Sequence, residues 1–293
     1  MISVIICSIN KDFAKQVQCN IDNTIGVEWE PIVIDNTIKP LPITKVYNLG
    51  ASKAKYSTLC FVHEDVLFKT ENWGLKIVDS FRQDTTLGLI GVGGSRYKSK
   101  TASGWFCGFK ELDCCNITHL NKTGDKEVLY MNPEQNVKSQ QVVTVDGVFM
   151  CCPKRVWDEI RFDEILLIDF HLYDLDFSIR VSEKYRALIT FEIDILHIVK
   201  GNHYGNKWLE STLLWHRYFQ KRLPAFISPY YGSKKNKFES GILRIWLIRL
   251  KHENLSVKNK LKWLYAVKIW EHLHAWPYVP LFLFKSVFKK YNK

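Results

Sequence analysis

No uninterrupted apolar run in this 293-residue chain approaches the roughly 20 residues that a bilayer-spanning helix needs. No basic segment precedes a hydrophobic start. Met1-Ile2-Ser3-Val4-Ile5-Ile6-Cys7 meets polar residues by Ser8, and reads as a first buried strand rather than a secretory leader. The chain has eight cysteines and no C-x-x-C. The adjacent pairs Cys114-Cys115 and Cys151-Cys152 suit neither a zinc ribbon nor a disulfide scaffold. The expectation is free, mostly buried thiols in a reducing cytosol, and hence a cytoplasmic location. Without a secretory route, the sequons Asn116-Ile117-Thr118 and Asn121-Lys122-Thr123 are read as chance. No internal repeat, low-complexity tract or nucleic-acid-binding motif is visible, so nucleic acid is not an expected partner.

What is present divides unevenly along the chain. A hydrophobic fraction of 46% is ordinary for a globular protein, and the length suffices for one large core or a domain with an appendage. The net charge of +11 is not spread out. Residues 234–293 hold 14 Lys and Arg against three Glu, while residues 1–233 hold 27 basic and 27 acidic groups. The reading is a neutral body over 1–233 followed by a basic extension over 234–293.

Within the body, strand-like and helix-like segments alternate. Ile2–Cys7 is apolar and β-branched, and Asp12–Ile21 places Phe13, Val17 and Ile21 on one helical face. Pro31–Ile34 reads as a strand, Ile43–Ala54 as a helix, Trp73–Phe81 as another helix and Leu87–Val92 as a strand. Such alternation argues for an α/β fold with a doubly wound, mostly parallel sheet. Residues 97–140 lack periodicity and are expected to be irregular loops near a substrate. Val143–Met150 reads as a strand broken at Asp146-Gly147.

Two clusters carry chemistry. Ser57-Thr58-Leu59-Cys60-Phe61-Val62-His63-Glu64-Asp65-Val66 runs an apolar strand into three metal-competent side chains. In open α/β sheets ligands bind at the carboxyl edge, and a cation there can neutralise a diphosphate. A strand followed by a polar turn would read the same way. The second cluster is Phe170-His171-Leu172-Tyr173-Asp174-Leu175-Asp176-Phe177-Ser178-Ile179-Arg180. Tyr173, Phe177 and Val181 share one helical face. Asp174 and Asp176 fall in the first turn, where the helix dipole favours anions. They are either N-terminal helix charges or include a general base.

Together these segments resemble a GT-A-fold glycosyltransferase of the family 2 type over the first ~200 residues. The first strand ends at Ser8, whose counterpart contacts the nucleotide, and Asp35 matches the Asp that reads the base. Asn48, in Tyr47-Asn48-Leu49-Gly50, matches the Asn that precedes the metal strand. His63-Glu64-Asp65 falls on the metal-binding D-x-D, and Tyr173 to Arg180 on the E-D-x-D-x-x-x-R pattern, with Asp174 at the base position and Asp176 its substitute. His197, in Ile195-Leu196-His197-Ile198-Val199-Lys200-Gly201, matches the closing His that approaches the metal. Arg96 and Lys45 are phosphate partners or solvated surface groups, and His171 is a supporting group or a packed histidine. The H-x-D form, with Gly91-Val92-Gly93-Gly94-Ser95-Arg96, resembles a bacterial branch that includes capsule N-acetylglucosaminyltransferases. Two departures stand out: His63 for Asp and Tyr173 for Glu. An imidazole ligand shifts the expected divalent cation from Mg²⁺ toward Mn²⁺.

The resemblance implies a nucleotide-sugar donor, a glycan or lipid-linked acceptor, and a single inverting displacement. A pyrophosphorylase-like enzyme would want a Gly-rich, basic loop after the first strand, and Ser8-Ile9-Asn10-Lys11-Asp12 is not one. A non-catalytic glycan- or membrane-binding derivative of the fold would be favoured if the carboxylates failed to converge. The extension mixes Trp, Leu and Lys. It either lies against an anionic membrane surface, making the protein peripheral on the cytoplasmic face, or packs as helices on the domain with Lys in solvent.

Overall fold

The computed structural model describes residues 1–199 and 204–288, with side chains to residue 283. Lys200 and Gly201 of the closing-His segment and Lys289, Lys290 and Lys293 of the tail lie outside the described residues. The chain begins with β1 (Ile2–Ser8), α1 (Lys11–Thr24), β2 (Trp29–Asp35), α2 (Ile43–Lys53), β3 (Thr58–His63), β4 (Val66–Phe68), α3 (Trp73–Gln83) and β5 (Leu87–Gly91). Short strands β6 (Gly93–Ser95) and β7 (Tyr97–Lys98) lead to β8 (Asp113–Leu120), β9 (Lys126–Met131), β10 (Ser139–Val142), β11 (Thr144–Val145) and β12 (Phe149–Pro153). Then come α4 (Lys154–Ile160), α5 (Tyr173–Ser182), β13 (Arg186–Thr190), β14 (Ile195–Ile198) and α6 (Asn206–Phe219). The tail holds β15 (Ala225–Phe226), α7 (Pro229–Ser233), α8 (Lys235–Lys251), α9 (Val257–Ala266) and α10 (Val279–Phe288).

Seven strands form the central sheet in the order β10-β13-β5-β12-β3-β1-β2. The β2-β1-β3 half is parallel, as is β13 with β5; β12 runs antiparallel between β3 and β5, and β10 is antiparallel to β13. Successive side chains of a strand face opposite ways, so each central strand feeds two cores. Ile5, Leu59 and Phe61 enter one with Tyr47 and Trp157; Val4, Ile6, Cys60 and Val62 enter the other with Val17 and Trp73. Burial on both faces explains the unbroken apolar runs of β1 and β3. Asn10 caps α1, its side chain accepting from the amides of Asp12 and Phe13 at 3.0 and 3.2 Å.

Three expectations change. Residues 97–140 are not irregular: β8 and β9 form an antiparallel hairpin within a second sheet ordered β11-β6-β8-β14-β4. Its turn is set by Asn121, whose side chain accepts from the amides of Thr123 and Asp125, and by Gly124 at φ +87°. The single broken strand over 143–150 is two strands in different sheets, β11 pairing β6 and β12 pairing β3. The break at Asp146-Gly147 is where the chain crosses between them. The expectation that all thiols are free is overturned as well. Cys60 and Cys151 face each other across β3 and β12 and form a disulfide, because antiparallel register sets them side by side. The other six cysteines are free, only Cys19 among them exposed.

The tail packs. Phe238, Ile242, Leu243, Trp246, Leu247 and Leu250 of α8, and Trp263 and Leu264 of α9, are buried in the same core as β3 and α5. Trp246 stacks on Trp208 of α6 with ring centroids 5.5 Å apart, and its indole donates to the Phe106 carbonyl. Glu239 accepts from the hydroxyls of Tyr97 and Ser99, both at 2.8 Å. Each buried aromatic of this kind stabilises the fold by about 1.5–3 kcal/mol, so the core runs on through residue 233 without a gap.

Candidate active site

The site grows from the carboxyl ends of β1, β2 and β3. A cleft of about 500 Å³ opens there, lined by Cys7 and Ile9 after β1, Asn36 and Pro40–Pro42 after β2, Ile43 and Tyr47 of α2, and His63, Glu64 and Asp65 after β3. Ile168, Asp169 and Phe170 close its far side. The floor is apolar and aromatic, with the polar groups concentrated at the end of β3.

Those groups converge with β14. His63, Asp65 and His197 each offer one ligand atom, all within 4.8 Å of one another, and all three residues are half-buried. Antiparallel pairing of β14 with β4 brings His197 to Val66, next to Asp65, and His197 Nε2 lies 3.5 Å from Asp65 Oδ1. Two imidazoles and a carboxylate are a donor set that a divalent transition ion accepts. The His63 ring is held: its Nε2 lies 2.7 Å from the Tyr173 hydroxyl, which donates to the Gly147 carbonyl at 3.2 Å. That contact engages Nε2 and fixes the ring's orientation, as hydrogen-bond partners of metal-binding imidazoles do.

Glu64, between the two ligand positions, lines the cleft and is bonded to the backbone. It is buried, and Oε2 accepts from the amides of Ile9 and Asn10 at 3.1 and 3.0 Å, tying the end of β3 to the start of α1. A carboxylate at a helix N-terminus is favoured by the dipole.

Asp174 begins α5 beside Asp146. The Gly147 amide donates to Asp174 Oδ2 at 3.1 Å, while Asp146 accepts from the Val148 amide at 2.9 Å and from the Trp105 indole. Burial, and then the nearby Asp146 carboxylate, push Asp174 up to about 7. Gly147 is the contact point of this arrangement: a Cβ there would lie 2.1 Å from the Tyr173 hydroxyl and 3.1 Å from Asp174 Cβ. The sequence reading assigns no role to Asp146 or Gly147, and names Glu64 only as metal-competent and Tyr173 only as a departure from the family's Glu. The break at Asp146-Gly147 is the one sequence signal that points to that pair.

The remaining candidates have other employment. Asp176 is buried, with Oδ2 accepting from Arg180 Nε at 2.8 Å and Oδ1 from the Trp215 indole at 3.3 Å. Both oxygens are engaged by the protein. Arg96 is likewise buried and bound to Tyr231, Glu134 and Gln140, so it is not placed to meet a phosphate. Asn48 spends its amide on Phe162, Glu164 and Trp157, anchoring the loop that leads to Phe170. Ser8 is buried at the end of β1 between the cleft residues Cys7 and Ile9. Asp35 is exposed and caps Thr37, whose hydrogen bonds lower its pKa; its neighbour Asn36 lines the cleft. Lys45 is exposed on α2, and His171 is half-buried with its ring against Phe170.

Residues 3–206 match the family described as glycosyltransferase like. The chain belongs to that glycosyltransferase-like family. No curated protein sequence matches it significantly. Among solved structures it is similar to GalNAc-T7, crystallised with UDP, GalNAc and Mn²⁺. The TM-score is 0.52 at 12% identity, covering 86% of this chain and 57% of that one. It thus spans little over half the length of that relative, and the likeness shows the GT-A-like fold. A second similarity, to A197 from STIV, has a TM-score of 0.39 at 13% identity over 68% of this chain and 86% of that one. Among the described residues of this glycosyltransferase-like chain, no helix is long and apolar enough to cross a membrane.

Proposed function

We propose that this chain moves a sugar from a nucleoside-diphosphate donor, a UDP-sugar, to a hydroxyl of a glycan or lipid-linked acceptor, with inversion at the anomeric carbon. The observation that carries the reading is the meeting of His63 and Asp65, on the wall of the cleft at the sheet's carboxyl edge, with His197 beside them. The family match supports transfer chemistry, and the similar GalNAc-T7 was crystallised with UDP and Mn²⁺. The apolar wall built by Ile9, Pro40, Leu41 and Tyr47 suits a nucleoside, and the imidazole end suits its diphosphate.

His63, Asp65 and His197 would hold a divalent cation, Mn²⁺ rather than Mg²⁺ because Mg²⁺ demands oxygen ligands. Such an ion offsets the negative charge that builds on a departing diphosphate. Tyr173 and Gly147 orient His63 for that purpose. Asp174 takes the proton from the acceptor hydroxyl. The acceptor oxygen bonds to the anomeric carbon from one face while the bond to the diphosphate breaks on the other, its electron pair leaving on the phosphate oxygen. A carboxylate raised to about 7 by burial and by Asp146 suits this work, since a base is most effective near the operating pH.

The test is a panel of nucleotide sugars with Mn²⁺, read by thermal stabilisation and by release of nucleoside diphosphate. A UDP-sugar should stabilise the protein only with metal present, and a chelator should reverse it. Stabilisation by none of the panel would contradict the reading. Stabilisation without turnover, with a range of acceptors supplied, would point to the non-catalytic binding derivative instead.

A further inference from the structure

We infer that the outward face of α9 and the turns after it form a docking surface for an anionic lipid bilayer. The inference stands apart from the reading of the cleft. α9 is apolar on two faces. Asn259, Lys260, Trp263, Leu264 and Val267 are buried against the protein. The Trp263 indole donates to the Ala102 carbonyl and Lys260 to the Phe282 carbonyl, both at 2.7 Å. That inner face is enough to seat the helix. The outer face nevertheless carries Val257, Leu261 and Tyr265 at four-residue spacing, 43, 52 and 74% exposed. Exposed Lys258 and Lys262 run alongside them. The stripe continues past the helix: the Tyr265 ring lies 5.3 Å from Trp270, and Leu273, Trp276 and Leu281 are more than half exposed.

An exposed apolar stripe of this kind, running along α9 to Trp270, marks an interaction site. Its composition chooses the partner. Protein–protein interfaces are depleted in Lys, whereas here Lys alternates with aromatics. At a bilayer surface the Lys stem lies along apolar groups while the ammonium reaches lipid phosphate, and Trp and Tyr rings sit at headgroup level. The charge agrees. Residues 234–293 carry the whole net charge of +11. Of the three acids there, Glu239 is bonded inward to Tyr97 and Ser99, Glu253 is half-buried, and Glu271 is paired with Lys268 at 3.2 Å. Lys258 and Lys262 give the outer face of α9 positive charge, and such a face can lie on a membrane without crossing it.

The experiment is co-sedimentation of the full chain with phosphatidylcholine vesicles, with and without about one-third phosphatidylglycerol, at low and high salt. Binding should require the anionic lipid and weaken at least tenfold in high salt, because exposed charges are screened there. Each lysine near an anionic surface contributes about fivefold, so K258E/K262E should lower the partition coefficient by roughly 20-fold or more. L261S/Y265S should lose the salt-resistant remainder. All four positions are exposed, so circular dichroism and melting temperature should match the parent chain. Equal binding to both vesicle types, or unchanged binding by both variants, would overturn the inference. A concentration-dependent dimer that L261S/Y265S abolishes would assign the surface to a second copy instead, and overturn it equally.

Discussion

The cleft and the helical layer behind it both keep charge away from water, and they do so in opposite ways. In the layer behind the cleft three buried ionic groups meet partners from the protein. Asp176 meets Arg180 and Trp215, and Arg96 meets Glu134, Gln140 and Tyr231. Lys98 donates to Ser103 Oγ, two carbonyls and His216 Nε2, and His216 stays neutral because burial and the lysine push its pKa well down. One residue along from Tyr173, which holds the cleft residue His63, like is set beside like: Asp146 lies close enough to Asp174 to raise it. Burying like charges together weakens a fold, and a protein keeps such an arrangement where chemistry needs it. The two acids of α5 show the contrast over two residues. A motif can name both Asp174 and Asp176, but only the surrounding partners separate a base from a structural ion pair.

That contrast can be broken by substitution. Asp174→Asn keeps the shape and removes the base, so transfer should fall about 10²–10⁴-fold while donor binding survives, as measured by initial rates and calorimetry. A near-parental rate would remove Asp174 from the mechanism. Asp176→Ala should act on stability instead. It strands Arg180 in a partly buried site and should cost about 3 kcal/mol in urea unfolding, with the folded fraction retaining turnover. Tyr173→Phe releases His63 from its hydrogen bond and should weaken metal affinity about 10–100-fold, with Asp174-dependent pH behaviour unchanged.

A further effect is on stability against pH. Asp174 is raised in the folded state, so below its folded pKa it binds a proton more tightly than the unfolded chain does. Its contribution is therefore greatest at acidic pH and is lost as pH rises from about 4 through about 7. Metal-free protein should lose up to roughly 4 kcal/mol over that range through this group. Asp174→Asn should remove this slope in denaturant titrations. Turnover should run the other way, rising through about pH 7 as the carboxylate ionises.

Much of the fold was legible because its signals are local. Ile2–Cys7 and Leu59–Val62 are apolar on both faces, and the helices between them carry clear periodicity, so the parallel half of the sheet follows from the sequence. The β8-β9 hairpin was not legible: Lys126–Met131 is mostly exposed and Asp113–Leu120 mixes cysteines with polar residues, so neither shows a clean alternation. The Cys60–Cys151 bond depends on an antiparallel register between strands 91 positions apart, which residue spacing does not reveal. At the site, the sequence located His63, Asp65, His197 and Asp174, each at an element's end. It could not show that Arg96, Asn48 and Asp176 are spent on internal partners, nor that Tyr173 and Gly147 hold the imidazole, because those facts belong to packing between distant segments.

The central claim is that His63, Asp65 and His197 form a metal site serving a nucleoside diphosphate, and titration calorimetry of UDP with and without Mn²⁺ tests it most directly. The parent chain should bind UDP in a metal-dependent way, and Asp65→Ala and His197→Ala should each fold normally and lose that dependence. UDP binding by Asp65→Ala that matches the parent chain in Mn²⁺ would contradict the account.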